Sequence, residues 1–333
     1  MLKVAINGFG RIGRSAFKIA LDKFSNEIEI VGINDLTDAK TLAHLLKYDS
    51  NYGVWNHDVS NDADHIIVDQ KAYQVLNEKE PANLPWKDLQ VDVVIESTGR
   101  FTKPETAKLH LSAGAKKVVI SAPGAGVNTY ILGVNEEHYN NEAIISNSSC
   151  TTNCVAPVAK VMHEKFGIQK AMMTTIHAYT ADQHLQDGPH KDLRRARAAA
   201  QNIVPTSTGA AISTAHVIPE LEGKFDGVAI RVPVAVGSIS DFTFLLSKKV
   251  TVEKVNEVFK EAAEGDLKNI LAVTKDPVVS SDIVGRSESA IVDLGLTQVV
   301  DGDLVKIFAW YDNEYGYANR LIEQVIRVGT QAD

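Results

Sequence analysis

The stretch Ser146-Asn147-Ser148-Ser149-Cys150-Thr151-Thr152-Asn153-Cys154 crowds thiols, hydroxyls and amides together. It follows an apolar, strand-like run, Ala143 to Ile145, and precedes a helix-like run, Val155 to Phe166, with Val158, Val161 and Met162 at i, i+3 and i+4. That order puts Cys150 where a strand hands over to a helix, in the helix's first turn. Unpaired backbone N–H groups and the positive end of the helix dipole favour a thiolate there, and a thiolate is a nucleophile near neutral pH. Two buried structural cysteines are the plainer alternative. An inert buried thiol, however, has no need of Ser148, Ser149, Thr151 and Thr152 beside it.

A second group could hold a dinucleotide. Gly8-Phe9-Gly10-Arg11-Ile12-Gly13 follows the apolar strand Leu2–Asn7 and opens a helix with the apolar stripe Ile12, Ala16, Ile19 and Ala20. A further strand, Glu29 to Ile33, ends at Asn34-Asp35, roughly twenty residues on, as the dinucleotide fingerprint requires. Glycines let the backbone approach a pyrophosphate at the helix N-terminus, and the acid accepts bonds from the adenosine ribose. The Asp35 carboxylate suits the 2′-hydroxyl of NAD and repels the 2′-phosphate of NADP; no Lys or Arg follows it before Lys40.

The elements around these groups alternate. Strands are predicted at 66–68, 72–76, 91–97 and 117–121, with a helix over Pro104–Ala113. Ser97-Thr98-Gly99-Arg100-Phe101 and Ser121-Ala122-Pro123-Gly124 then fall at carboxyl ends of strands, where open parallel sheets bind ligands. Beyond Phe166, strands are predicted at 171–178, 228–232, 240–246 and 304–310. A helix over Thr251–Glu264 buries Val252, Val255, Phe259 and Ala262 and is capped by Gly265, and a final helix buries Leu321, Ile322, Val325 and Ile326. The polar loop 182–202 holds His190, Lys191, Arg194, Arg195 and Arg197, a solvated face or an anion site. Thr206-Ser207-Thr208-Gly209 reads as a helix N-cap.

Bulk properties bound the function. The 333 residues suffice for two domains, with 44% hydrophobic and 23% charged residues. A net charge of −8 argues against general nucleic-acid or anionic-membrane binding. Two cysteines give no disulfide framework, no apolar run is long enough to span a bilayer, and no charged leader precedes the first strand, so a cytoplasmic protein is expected.

Taken together, GFGRIGR, HLLKYDS, ESTGRFT, GAKKVVISAP, ISNSSCTTNC, HKDLRRARAAAQNIVPTSTGAA and WYDNEYGY resemble the phosphorylating glyceraldehyde-3-phosphate dehydrogenase family along essentially the whole chain. The resemblance implies an α/β fold: a Rossmann-type NAD domain, 1–149 plus 315–333, and an α+β catalytic domain, 150–314. It implies oxidative phosphorylation of D-glyceraldehyde 3-phosphate to 1,3-bisphosphoglycerate by a homotetramer, with no obligate nucleic acid or membrane. Cys150 would be the nucleophile and His177 its base. Thr180 and Arg231 would hold the substrate's C3 phosphate; Ser149, Thr151, Thr208 and Gly209 would hold inorganic phosphate, and Arg195 would bind phosphate. NAD would meet Gly8, Gly10, Arg11, Ile12, Gly13, Asp35, Lys79, Thr98, Gly99, Phe101, Ser121, Asn313 and Tyr317. The loop holding Gly188-Pro189 would line the neighbouring subunit's cofactor groove.

The chain departs from the family pattern in three places. Ser148 stands where Ala is usual, Val234-Ala235-Val236-Gly237 replaces Thr-Pro-Asn-Val, and Tyr315 replaces Trp. Erythrose-4-phosphate dehydrogenase shares the cysteine and histidine, but Thr180 and Thr208-Gly209 favour the triose. Aspartate-semialdehyde dehydrogenase shares the thioester logic without needing two phosphate subsites. A secondary RNA-binding or adhesion role is the alternative from another class.

Overall fold

The computed structural model describes residues 1–331, so the last two residues of the expected 315–333 segment lie outside it. The chain divides into two compact units. One comprises Met1–Tyr130, Glu137–Ser148 and the chain from Ala318 on; the other comprises Ile131–Glu136 and Ser149–Tyr317. Ile131 and Val134 leave the first unit because their side chains complete the second unit's core.

Besides a short ribbon of Tyr48–Asp49 with Gly53–Val54, the strands of the first unit are β1 (Leu2–Asn7), β2 (Ile28–Asn34), β3 (Val59–Asn61), β4 (His65–Val68), β5 (Lys71–Leu76), β6 (Val93–Glu96), β7 (Lys117–Ile120) and β8 (Ile144–Ser146). They form one sheet in the order β8-β7-β6-β1-β2-β5-β4-β3, parallel from β8 to β5 and antiparallel beyond. Both β6 and β7 are buried at every position, the unbroken burial expected of a parallel sheet covered on both faces. The order reverses at β1, which lies between β2 and β6, and the carboxyl ends of β1 and β6 flank that switch point.

Glycine makes the β1-to-α1 turn, with α1 spanning Arg11–Phe24. Gly8 has φ 95°, and a Cβ there would sit 2.7 Å from the Thr98 amide nitrogen. A Cβ on Gly13 would lie 2.2 Å from the Gly8 carbonyl oxygen. Gly13→Ala is therefore expected to push α1 off β1 and lower stability by about 1–3 kcal/mol, read as a denaturant midpoint shift.

Two further helices, α2 (Ala39–Lys47) and α3 (Pro104–Ser112), complete the first unit ahead of its C-terminal helix. The second unit begins with α4 (Cys150–Phe166) and continues through β9 (Ile168–Ala178), β10 (Val204–Ser207), α5 (Ala210–Val217), β11 (Phe225–Val232), β12 (Ser238–Leu246), α6 (Val252–Glu264), β13 (Leu271–Thr274), β14 (Ala290–Asp293), β15 (Gln298–Val300) and β16 (Leu304–Tyr311). Its sheet runs β10-β11-β9-β12-β16-β14-β13, with β15 paired to β16. Burial alternates along β12 and β16, so Phe242, Phe244, Val305 and Ile307 pack into the same core as Val155, Val158 and Met162 of α4. The last helix, α7 (Tyr315–Thr330), starts in this unit and continues in the first.

Several expectations shift in detail. On α6 the buried face is Val255, Val258 and Phe259, while Val252 in the first turn is only half-buried. On α7, Val328 is buried and Ile326 only partly so. Thr206 and Ser207 belong to β10, and the N-cap of α5 is Gly209. Short β13 and β14 carry too few residues to show a period.

Candidate active site

Local sequence explains where the thiol sits. Ser149 is the N-cap of α4, its Oγ accepting the Thr152 N–H at 3.1 Å, so Cys150 is the first helical residue. The preceding Ser148 has φ 55°, the left-handed turn through which the chain leaves β8. Inward positions of β9 repeat every second residue: Ala171, Met173, Thr175 and His177 are all buried. That parity brings His177 to the face where α4 packs, with its Nε2 3.4 Å from Cys150 Sγ.

The histidine tautomer follows from its other nitrogen. Nδ1 lies 2.7 Å from the Ala178 carbonyl oxygen, which can only accept, so Nδ1 carries the proton and Nε2 faces the thiol with a lone pair. Burial, reinforced by the Arg231 charge, pushes the imidazole down to about 3. Burial pushes the half-buried Cys150 thiol up, while Arg231 and the Thr151 hydroxyl draw it back down. Each group alone thus favours its neutral form, and the proton can pass directly from sulfur to Nε2. Burial thus opposes the thiolate that a helix N-terminus favours.

Arg231 is positioned by strand register: it is the partner of His177 in the parallel β9–β11 pair. One guanidinium nitrogen donates to Thr180 Oγ1 at 2.7 Å, and Thr180 donates to the Asp182 carboxylate. Arg195 donates to Asp182 at 2.9 Å, to Thr206 Oγ1 at 2.9 Å and to the Ser207 carbonyl at 3.1 Å. Burial works against the Asp182 charge, but Thr180, Arg231 and Arg195 hold its carboxyl below the usual range. Asp182, absent from the sequence expectations, is therefore paired directly with Arg195 and linked to Arg231 through Thr180. Arg231→Leu is expected to shift the alkylation of Cys150 to higher pH, because it removes the charge that opposes burial; an unchanged rate–pH profile would contradict this.

Other expected phosphate groups are less uniform. Thr208 Oγ1 accepts the Ala210 N–H at 3.2 Å beside Gly209, where a Cβ would meet open space. The Thr151 hydroxyl lies 3.0 Å from the buried Tyr311 hydroxyl, which also bonds Thr175 at 2.8 Å. Tyr311 and Thr175 brace the site, and neither was singled out in the sequence, although Tyr311 lies within WYDNEYGY. Asn313 is buried, its Oδ1 accepting the Gly237 N–H at 3.1 Å and the Ser238 hydroxyl at 3.0 Å, which leaves its N–H₂ as the group free to face a ligand. Ser238 also accepts the Ala178 N–H. Gly237, one of the departures from the family pattern, has φ 95° and a Cβ there would collide with the Ser280 carbonyl. Tyr317 is buried on α7.

In the first unit, a cleft of about 660 Å³ opens at the switch point, lined by Gly8, Gly10, Asp35, Lys79, Thr98 and Phe101 among others. Asp35 is held by the Phe9 N–H at 2.8 Å and the Thr37 N–H at 3.0 Å. The Arg11 side chain pairs with Asp49 at 2.7 Å, so what Arg11 and Ile12 present at the start of α1 is backbone N–H. Gly99 has φ 71°, and the Ser121 N–H is taken by the Glu96 carbonyl. Gly10 gives the test of fit: a Cβ there would meet nothing within 4 Å, so the space at the helix N-terminus is open to a pyrophosphate. Gly10→Ala should therefore weaken NAD binding by about tenfold or more while leaving stability unchanged, the reverse balance of Gly13→Ala; calorimetric titration and thermal melts read the two effects.

Residues 2–104 match the family described as glyceraldehyde 3-phosphate dehydrogenase, NAD binding domain, and residues 149–313 match its C-terminal domain. The chain is 55% identical over 333 residues to glyceraldehyde-3-phosphate dehydrogenase 2 of Streptomyces avermitilis, covering 99% of each chain. It is 55% identical to glyceraldehyde-3-phosphate dehydrogenase 1 of Bacillus cereus, covering 97% of each chain. Against the Geobacillus stearothermophilus enzyme identity is 54%, over 97% of this chain and 96% of the relative.

Proposed function

The chain belongs to the glyceraldehyde-3-phosphate dehydrogenase family, and from that premise we propose that it converts D-glyceraldehyde 3-phosphate, NAD⁺ and inorganic phosphate to 1,3-bisphosphoglycerate and NADH. The observation that carries this reading is Cys150 Sγ at 3.4 Å from a histidine nitrogen whose lone pair faces it.

His177 Nε2 takes the thiol proton as Cys150 sulfur bonds to the aldehyde carbon, and returns it to the carbonyl oxygen, giving a hemithioacetal. NAD⁺, when bound, supplies the hydride acceptor. As the hydride leaves that carbon, His177 takes the hydroxyl proton and a thioester remains on Cys150. A phosphate oxygen then adds to the thioester carbon; the C–S bond breaks, the acyl phosphate leaves, and the Cys150 sulfur recovers a proton from the His177 imidazolium. The Cys150 N–H at the start of α4 stabilises the oxyanion in both additions.

Arg231 and Thr180 bind the substrate's phosphate, while Ser149, Thr151, Thr208, Gly209 and Arg195 receive inorganic phosphate. An incoming phosphate competes with Asp182 for the Arg195 guanidinium. Gly8, Gly10, Gly13, the Arg11 and Ile12 amides, Asp35, Lys79, Thr98, Gly99, Phe101 and Ser121 hold NAD, and Asn313 with Tyr317 orients its carboxamide. Residues 1–149 with 315–333 form the NAD domain, and the catalytic domain 150–314 performs the acyl chemistry and contributes Asn313 to the cofactor. The enzyme acts in the cytoplasm as a homotetramer; Leu185 and Leu193, about 80% exposed on the 182–202 loop, support a subunit contact there.

Mixing enzyme with NAD⁺ and substrate without phosphate, followed by intact-mass and peptide analysis, should find the phosphoglyceroyl group on Cys150 alone. An adduct elsewhere, or none in an enzyme that turns over, would overturn the assignment.

A further inference from the structure

The floor of the NAD cleft rests on a buried carboxylate that the chemistry above does not use. Glu96 ends β6 at the switch point, and its side chain and that of His110 are fully enclosed. Both Glu96 oxygens are taken by donors. Oε2 accepts Asn7 Nδ2 at 2.6 Å and lies 3.0 Å from His110 Nε2; Oε1 accepts the Thr98 N–H at 2.9 Å and the Thr98 hydroxyl.

The direction of each bond is settled by its neighbours. Trp86 Nε1 lies 3.0 Å from His110 Nδ1, and an indole N–H can only donate, so the imidazole proton is on Nε2 and points at Glu96. Asn7 Oδ1 accepts Asn34 Nδ2 at 2.7 Å, so the Asn7 amide nitrogen must face Glu96. Asn34 Nδ2 also donates to the Glu78 carbonyl at 2.9 Å, while its Oδ1 accepts the Glu78 N–H at 2.9 Å. One polar chain thus runs from Trp86 on the buried side, through His110 and Glu96, to Asn7, Thr98 and the Glu78 backbone. Asn7, Asn34, Glu78 and Thr98 all line the cleft.

We propose that Glu96, oriented by His110, is the positioning group of the cofactor cleft: it holds Thr98 and Asn7, and through Asn34 the Glu78 rim, in the geometry that binds NAD. Such a network is worth making only if every member is satisfied, and here each atom has one permitted role. The inference rests on the reading of this cleft as the NAD site.

Glu96→Gln tests it. An amide N–H₂ must face either Thr98 or the Asn7–His110 pair, all of them donors, so one side of the floor opens. The Kd and KM for NAD⁺ should rise about tenfold or more. At saturating NAD⁺, kcat should stay within about threefold, and cofactor-free alkylation of Cys150 should be unchanged, since that reads the other unit. A second pair covers misfolding: His110→Gln keeps a donor toward Glu96 and should retain NAD⁺ affinity within about threefold, whereas His110→Leu should lose about tenfold. A folded E96Q or H110L that binds NAD⁺ within twofold of wild type, or an equal loss in H110Q and H110L, would overturn the proposal. Failure of the wild type to bind NAD⁺ would instead remove the cleft reading, and this inference with it.

Discussion

Replacing Cys150 with Ala is expected to lower phosphate-dependent NADH formation by roughly 10⁴-fold or more, because no other group can form the acyl intermediate. The thiol is the first residue of α4, half-buried, and 3.4 Å from His177. Cys154 cannot substitute. Its sulfur is fully buried against the Ala309 carbonyl, and burial pushes that thiol far up. NAD⁺ affinity should survive the substitution, since the cleft belongs to the other unit. Steady-state assays and NAD⁺ titration on the same preparation check both halves. Residual turnover within a hundredfold of wild type would place the nucleophile elsewhere.

His177→Asn is expected to reduce kcat by roughly 10²–10⁴-fold, the usual range for losing a general base. It should also change acid stability, and the sign can be worked out. In the unfolded chain the imidazole titrates near 6.5, whereas in the folded protein it is held down to about 3. Between those values the unfolded state binds a proton that the folded state refuses. His177 therefore costs stability increasingly as pH falls from about 6.5 to about 3, and costs none above that window. The asparagine variant loses this dependence, so its stability should fall less steeply on acidification. Urea midpoints measured across pH 4–8 test this. Parallel profiles for wild type and variant would show that the imidazole is not held neutral.

Much of this site was legible because its signals are local. The glycine spacing, the strand ahead of it and Asp35 lie within one stretch, and the cleft contains them together. Ser149 and Cys150 announce a helix start through hydroxyl chemistry alone. His177 was different: ten histidines compete, and its role depends on which face of β9 packs against α4. Only family resemblance selected it in advance. Asp182, Tyr311 and Ser238 escaped altogether. Ser238 and Tyr311 gain their significance from strand register and bonds to residues far away in sequence, such as Thr151 with Tyr311, whereas Asp182 gains it from its loop's bonds to Thr180 and Arg195. Likewise Glu96 and His110 read as ordinary polar residues until β6 and α3 bring them together in the interior.

The departures from the family pattern also acquire physical content. Gly237 is required where a side chain would strike Ser280, and its N–H orients Asn313. Ser148 takes the left-handed turn before Ser149 despite carrying a side chain. Nothing in the structure explains Tyr315 in place of Trp.

Resolution of the Cys150 thioester by phosphate is the step on which the mechanism turns. It is tested most directly by following NADH at 340 nm from D-glyceraldehyde 3-phosphate and NAD⁺, with and without inorganic phosphate. Sustained turnover that requires phosphate, with at most one equivalent of NADH per active site in its absence, is the predicted result. Equal sustained turnover without phosphate would mean that water resolves the thioester, and would contradict the phosphate roles given to Ser149, Thr151, Thr208 and Arg195.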